Sequence, residues 1–275
     1  RMQNEEVRAL LARLEAQIVP FANTAFGARY PHGNKIEALC ALPEGRPFVF
    51  FDTDTLITGP VSALAGQMGR PTASMNRTGT WPKVPLYGPG LAEIWGALYA
   101  RFGLDLESSL DTAHAPDDWR RYLYFNAGWF LGPCPQALGT RFRAMAAEIL
   151  ADPPPELAAQ SLDPWLDQVA LPLVVHALGG GRPGPGLAAL DGAASHHWRL
   201  MPLLYATAPD RVIDELEAVA TPNRIKRVLK RHRPFHQMIY RGRGRELRAL
   251  IDRTALPPRE QILRHRIRKL GYWVR

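Results

Sequence analysis

Four consecutive apolar residues, Phe48 to Phe51, run straight into Asp52-Thr53-Asp54. This junction restricts the fold more than any other stretch of the chain. A turn signal, Glu44-Gly45-Arg46-Pro47, precedes it. An apolar run of that length between a turn and a polar break predicts a strand buried on both faces, the kind found in parallel sheets. Open α/β sheets place their ligands at the carboxyl ends of strands, so two carboxylates stand where a site is expected. Such a pair repels itself and loses hydration unless a cation compensates. Hard divalent cations such as magnesium and manganese take oxygen ligands and share them with phosphates. The competing reading makes Asp52 and Asp54 a strand-end turn that caps a neighbouring helix.

The flanking pattern alternates between strands and helices. Val7, Leu10, Leu11 and Leu14 space one helix face over 4–16, with Asn4 as its cap and Glu5 and Glu6 in its first turn. A short strand is expected over 17–22, a short helix over 36–42, and then the strand over 48–51. Residues 70–90, rich in Pro, Gly and Thr, read as a surface loop. Leu91, Ile94, Trp95, Leu98 and Phe102 mark a helix over 90–102, and Leu138, Phe142, Met145 and Ile149 mark another. Between these helices, 122–131 reads as a strand interrupted by Asn126-Ala127-Gly128. Such a break signals either a bulge where backbone approaches a ligand or a simple kink. A helix over 164–178 is weakened by Pro172. The stretch 179–186 is a Gly/Pro loop, 198–205 reads as a last strand, and 210–220 as a helix. Alternation of this kind predicts an α/β fold with a mostly parallel central sheet flanked by helices.

The chain has 275 residues, enough for one large domain or a domain with an extension. Charge divides it. Residues 224–275 hold 17 Lys and Arg against 3 Asp and Glu, while residues 1–223 hold 17 against 23. The expected organisation is therefore a mildly acidic catalytic domain over 1–223 and a basic helical C-terminal extension over 224–275. A basic tail favours anions: phosphates, an anionic membrane surface or nucleic acid. Sparse aromatics (Tyr240, Tyr272, Trp273) give little for bases to stack on, which argues against nucleic acid as a partner. The alternative is a solvated surface with no specific partner. No apolar run reaches membrane-spanning length. Cys40 and Cys134, both in apolar settings, read as reduced core thiols. The expected localisation is cytoplasmic, with peripheral membrane association through the tail. Asn76-Arg77-Thr78 matches the N-glycosylation pattern, which carries weight only in a secreted protein. No Gly-x-x-x-x-Gly-Lys-Ser/Thr and no Gly-x-Gly-x-x-Gly after a strand is found, which argues against P-loop and Rossmann readings.

Four pieces of sequence line up in order: Gly33-Asn34-Lys35-Ile36-Glu37-Ala38-Leu39, Phe50-Phe51-Asp52-Thr53-Asp54-Thr55-Leu56, Tyr124-Phe125-Asn126-Ala127-Gly128-Trp129-Phe130, and Trp165-Leu166-Asp167-Gln168. In order and spacing they resemble nucleotide-sugar glycosyltransferases of the GT-A fold, most nearly family 8, over roughly residues 16–175. The resemblance implies a manganese (or magnesium) ion bridging Asp52 and Asp54 to a donor diphosphate. It implies Lys35 facing the nucleotide as a point charge, Asn126 and Gly128 lining the sugar and acceptor side, and Asp52 also touching the ribose. Asp167 and Gln168 would lie at the sugar ring as catalytic residues. The family's third metal ligand is a late His; His232 and His236 are the candidates, with His236 favoured for its apolar neighbours Phe235 and Met238. The Lys-Pro-Trp that follows that His in the family is replaced by Tyr240-Arg241-Gly242-Arg243, where Arg241 or Arg243 could bind phosphate. The family's first nucleotide-binding strand precedes a helix like 4–16, and the given chain begins at the helix.

The implied activity is metal-dependent transfer of a hexosyl unit from a nucleoside-diphosphate sugar, UDP being the commonest, to a saccharide, lipid or protein acceptor. Retention of the anomeric configuration follows from the resemblance alone. Two alternatives use other parts of the chain. A metal-dependent phosphohydrolase or nucleotidyltransferase would employ the same two aspartates. Haloacid-dehalogenase-type phosphatases carry Asp-x-Asp after an apolar strand, but they want Thr where Leu56 stands and a later Gly-Asp-x-x-x-Asp that is missing here. A non-catalytic anion or membrane-surface binder would use 224–275 only.

Overall fold

The computed structural model describes residues 4–76 and 81–274; Arg77 and Thr78 of the Asn76-Arg77-Thr78 sequon, with the rest of 77–80 in the expected loop, lie outside them. In chain order the elements are α1 (Glu5–Arg13), α2 (Asn34–Cys40), β1 (Phe48–Phe51), β2 (Thr55–Ile57), β3 (Thr72–Ala73), α3 (Leu91–Arg101), β4 (Trp129–Gly132), α4 (Pro135–Ala151), α5 (Leu166–Ala177), β5 (Ser195–His197), α6 (Met201–Thr207), α7 (Asp210–Ala220), α8 (Asn223–Leu229), the one-turn α9 (Arg233–Phe235) leading into a π-helical turn His236–Tyr240, α10 (Arg243–Leu250) and α11 (Glu260–Lys269). No helix among the described residues is long and apolar enough to cross a membrane.

Local chemistry explains most of these ends. Asn4 Oδ1 accepts the Glu6 and Val7 N–H groups, so the expected cap of α1 is in place. Glu93 reaches back to the Gly90 N–H at 2.7 Å and closes the first turn of α3. Cys134 is not a core thiol: its Sγ accepts from Ala137 N at 3.4 Å and caps α4. Both cysteines are free, as expected.

The sheets depart from expectation. One sheet has the order β1-β4-β3 and the other pairs β2 with β5, and every ladder among the described residues is antiparallel. A parallel central sheet is not what these strands form. The reason lies in what an apolar run reports. Phe48 and Phe50 pack into one apolar cluster with Phe130, whereas Val49 and Phe51 pack into another with Trp129 and Leu131. Both faces are covered, and an unbroken apolar run reports that covering, not strand direction. Two further expectations fail. Residues 16–24 take no regular structure; Pro20 among them lacks a ladder donor. The stretch 198–205 enters α6, because Pro202 sits in the first helical turn, where its fixed φ favours a helix. Of the 122–131 run only the end, from Trp129, is strand, and β4 continues to Gly132.

The chain divides into two compact units. The larger comprises residues 19–52 and 60–192. Its main cluster joins α2, α3, α4 and α5 to one face of the sheet, with Ile36, Ile94, Trp95, Phe125, Phe142 and Val169 almost wholly buried. Phe50 stacks on Phe130 at 4.5 Å between centroids. Pro172 sits within α5 without ending it; Val169, Ala170, Leu171, Leu173 and Val174 around it are buried, and that packing outweighs the lost hydrogen bond.

The other unit comprises residues 1–18, 53–59 and 193–275. The basic stretch 224–275 thus shares a unit with α1, the β2–β5 ribbon, α6 and α7. Met201, Leu204, Tyr205, Val212, Ile213, Met238, Leu247 and Ile267 form its core. Part of the basic charge is internal to the unit. Arg248, buried, donates to Asp210 and to the carbonyls of Tyr205 and Ala208. Arg245 pairs with Asp214 and Glu217, and Arg227 and Arg231 pair with Glu6.

Candidate active site

β1 delivers Asp52 to the end of its ladder. The Asp52 N–H donates to Gly128 O at 2.9 Å, which carries the β1–β4 pairing one residue past Phe51. Asn126-Ala127-Gly128 is a tight bend. The Asn126 Oδ1 accepts the Gly128 N–H at 2.8 Å, an Asx turn. Ala127 sits at φ 55, the left-handed region that a non-glycine residue adopts only when its surroundings impose it.

α2 brings Lys35 to the same place. Its ammonium lies 3.0 Å from the Asp52 carboxylate, 3.0 Å from Asp167 Oδ2 and 3.2 Å from Ala127 O. An ammonium has three donors, and each has an acceptor. Burial alone would lower the Lys35 pKa; the Asp167 and Asp52 carboxylates outweigh it and hold the pKa above its usual value. Lys35 is therefore an internal counter-cation between two carboxylates.

Asp167 and Gln168 occupy the first turn of α5 and are buried. Asp167 Oδ1 accepts the Gln168 N–H at 2.9 Å, and the Tyr30 hydroxyl lies 3.2 Å from it. The same hydroxyl lies 3.0 Å from Pro164 O and accepts the Asp167 N–H at 3.1 Å. Burial, then the charge of Asp167, push the Tyr30 pKa far up, so the phenol stays protonated. The Tyr124 hydroxyl donates to Gln168 Oε1 at 2.5 Å.

Asp54 is held by a ribbon. β2 pairs with β5 in the register Thr55↔His197, and the Trp198 N–H donates to Asp54 O at 3.0 Å. That register sets His197 Nε2 3.1 Å from Asp54 Oδ1. Only Thr53 separates Asp54 from Asp52 along the chain. One ligand atom each from Asp52, Asp54 and His197 lie within 4.8 Å of one another, a group that could hold a metal ion.

Of the residues expected from sequence, Lys35, Asp52 and Asp167 form one ion-paired cluster, and Gln168 adjoins Asp167. Asn126 is turned inward: its Oδ1 serves Gly128, and its Nδ2 donates to Asn76 O at 2.5 Å. Gly128 contributes backbone, one group in each direction. His236 heads the π-helical turn, its N–H donating to His232 O, and is not part of the three-residue group. His197, the imidazole in that group, carried no signal in the sequence because 198–205 reads as the strand and Ser195-His196-His197 falls just before it. Tyr30 and Tyr124 read as ordinary core aromatics.

The class of protein follows from comparison with known families: the chain is a glycosyltransferase. Residues 1–179 match the Rhodobacterales glycosyltransferase domain, and the chain belongs to that family. The match covers Lys35, Asp52, Asp54, Asn126, Gly128, Asp167 and Gln168 and stops before His197. No curated protein matches the chain, and no solved structure does.

Proposed function

We propose that the protein transfers a hexosyl unit from a nucleoside-diphosphate sugar, UDP-linked, to a saccharide, lipid or protein acceptor, in the manner of GT-A enzymes of family 8. The observation that carries this reading is the Asp52, Asp54 and His197 group next to the Lys35 ion pairs. Two carboxylates and an imidazole fit a divalent ion that accepts both oxygen and nitrogen ligands, manganese ahead of magnesium. When bound, the cation supplies Lewis-acid stabilisation of the charge that builds on the departing nucleoside diphosphate.

The chain's own residues do the rest. Lys35 stands 3.0 Å from both Asp52 and Asp167, and its positive charge offsets the repulsion between the two carboxylates. In this reading Lys35 serves the nucleotide side as a point charge and also positions Asp52 and Asp167 through its ion pairs. Asp167 and Gln168 stand together at the helix start, where they serve the sugar: Asp167 through its charge, Gln168 through its amide. Asn126 through its side-chain amide and Gly128 through its backbone hold the bend that fixes Asp52, on the side where the sugar and acceptor would lie. Outside the paired arginines, the basic surface of 224–275 is free to meet an anionic membrane, which suits a cytoplasmic enzyme acting on a lipid-linked acceptor.

The test is calorimetric titration of UDP and UDP-hexoses into the protein, with and without manganese, repeated on Asp54→Ala. Binding that requires the metal and is lost in the variant is expected. Binding indifferent to both metal and Asp54 would sink the reading.

A further inference from the structure

We infer that two buried phenols, Tyr30 and Tyr124, are positioning residues for the reaction, one for each member of the Asp167–Gln168 pair. This rests on the sugar-side role proposed above for that pair.

Asp167 and Gln168 are adjacent in a helix, so their side chains leave the axis about 100° apart. Directing both at one substrate requires a separate constraint on each. Tyr30 supplies the first. Its hydroxyl occupies Asp167 at two atoms, accepting the backbone N–H and lying 3.2 Å from Oδ1. That N–H is one of the orphan donors of a helix start, met here by a residue 137 positions away in sequence. With Lys35 on Oδ2 and the Gln168 N–H on Oδ1, the carboxylate has no freedom to rotate. Tyr124 supplies the second constraint. Its hydroxyl donates to Gln168 Oε1, which fixes the amide plane and leaves the Nε2 donors facing away from it. Gln168 is only 7% exposed as a residue, yet its Nε2 makes no hydrogen bond among the described residues and is not one of their buried unpartnered atoms, so its donors reach the surface. An amide with its oxygen tied and its donors open to the surface suits a polar ligand, such as a sugar hydroxyl.

Both tyrosines are almost fully buried, and their rings pack independently of their hydroxyls. Tyr30 meets Phe26 and His32, and Tyr124 meets Trp95. Replacement by Phe therefore removes the constraint and keeps the packing. The hydroxyls act on Asp167 and Gln168, the sugar-side pair, so the expected effect falls on turnover, with UDP and manganese binding kept.

The experiment compares wild type, Tyr30→Phe and Tyr124→Phe in the full chain. UDP release from a panel of UDP-hexoses with manganese is the kinetic readout. Calorimetry of UDP with manganese reports binding, and thermal melting reports the folded fraction. A misplaced reacting group costs on the order of 10- to 100-fold in turnover. The expected result is a fall of about that size in kcat for each variant, at unchanged KM and unchanged UDP affinity. A variant that is folded and binds UDP but turns over like wild type overturns the role of that tyrosine. A parallel fall in kcat, UDP affinity and folded fraction also overturns it, since that pattern marks a general structural role. If wild-type protein binds UDP with manganese yet consumes no donor, the positioning role falls while the binding reading stands. If it binds no nucleotide at all, the donor reading has failed first.

Discussion

Replacing Lys35 by Met keeps most of the unbranched side chain and removes its charge, and the consequence can be worked from two distances. The ammonium stands 3.0 Å from each of two carboxylates. At an effective dielectric of about 20, each contact is worth roughly 5 kcal/mol of gross attraction. Desolvation of the buried lysine and of Asp167 takes back most of that. What a substitution exposes is the stranding of the partners, and breaking one side of a buried pair costs about 3–5 kcal/mol. Asp167 is the more buried of the two, at 7% side-chain exposure against 23% for Asp52, so it dominates the loss. Lys35→Met is therefore expected to destabilise the protein by about 3–4 kcal/mol, read as a lower urea midpoint at unchanged slope. Asp167→Asn, which keeps the shape and drops the charge, should cost less. The decisive quantity is the cycle: in Lys35→Met with Asp167→Asn the stranded carboxylate is gone, and the double variant should be more stable than the sum of the singles by about 1–3 kcal/mol. Additivity within about 0.5 kcal/mol, or a Lys35→Met cost below about 1 kcal/mol, would refute the view that Lys35 is an internal counter-cation.

Three other outcomes are expected. His197→Ala should weaken manganese binding, measured by calorimetry, by at least the 10- to 100-fold typical of disturbing a metal site, whereas His236→Ala should leave it unchanged; the reverse result would restore His236 as the ligand. Arg248→Met should cost about 2–4 kcal/mol in urea unfolding, because the buried carbonyls of Tyr205 and Ala208 lose their donor; the largely exposed Asp210 carboxylate loses its partner as well. The Arg248 hydrogen bond holds the Asp210 pKa below its ordinary value, so this contribution is present above the usual aspartate pKa of about 4 and fades as pH falls below it; Arg248→Met should flatten that acid limb. Gly180→Ala would set a Cβ 2.1 Å from Pro71 O, a backbone atom with little room to yield, and should lower stability by about 2 kcal/mol or more in the same assay.

The sequence was most informative where local chemistry decides the outcome. Asn4 capping α1, the helix faces of α3 and α4, and the carboxylates at the end of β1 are all one-segment facts. Strand direction is not, because an apolar run such as Phe48–Phe51 looks the same in any sheet covered on both faces. The 198–205 stretch went wrong for a related reason: Leu200, Leu203 and Leu204 suit either period, and Pro202 decided for helix. The site divides along the same line. Asp52 and Asp54 were legible, being two residues apart. That Lys35 would be consumed by Asp52 and Asp167 depends on three segments converging, and that His197 would join Asp54 depends on one register, Thr55↔His197. Neither leaves a trace in the order of residues. Tyr30 and Tyr124 act through hydroxyls at the ends of rings that pack like any other core aromatic.

The bend at Asn126-Ala127-Gly128 implies an unusually small alphabet at its middle position. A β-branched side chain is strained at φ 55, and among larger residues Asn and Asp tolerate that region best. Ala127, however, is fully buried, so an amide or carboxylate placed there would enter the core with its polar atoms unmet. The two requirements together leave Gly and Ala. The letter at 127 is thus selected by backbone shape and packing, although it sits between residues that carry chemistry. A flip of the 127–128 peptide would swing away both the Ala127 carbonyl on which Lys35 relies and the Gly128 N–H held by Asn126 Oδ1, so one peptide unit couples the presentation of Lys35 to the turn that holds Asp52.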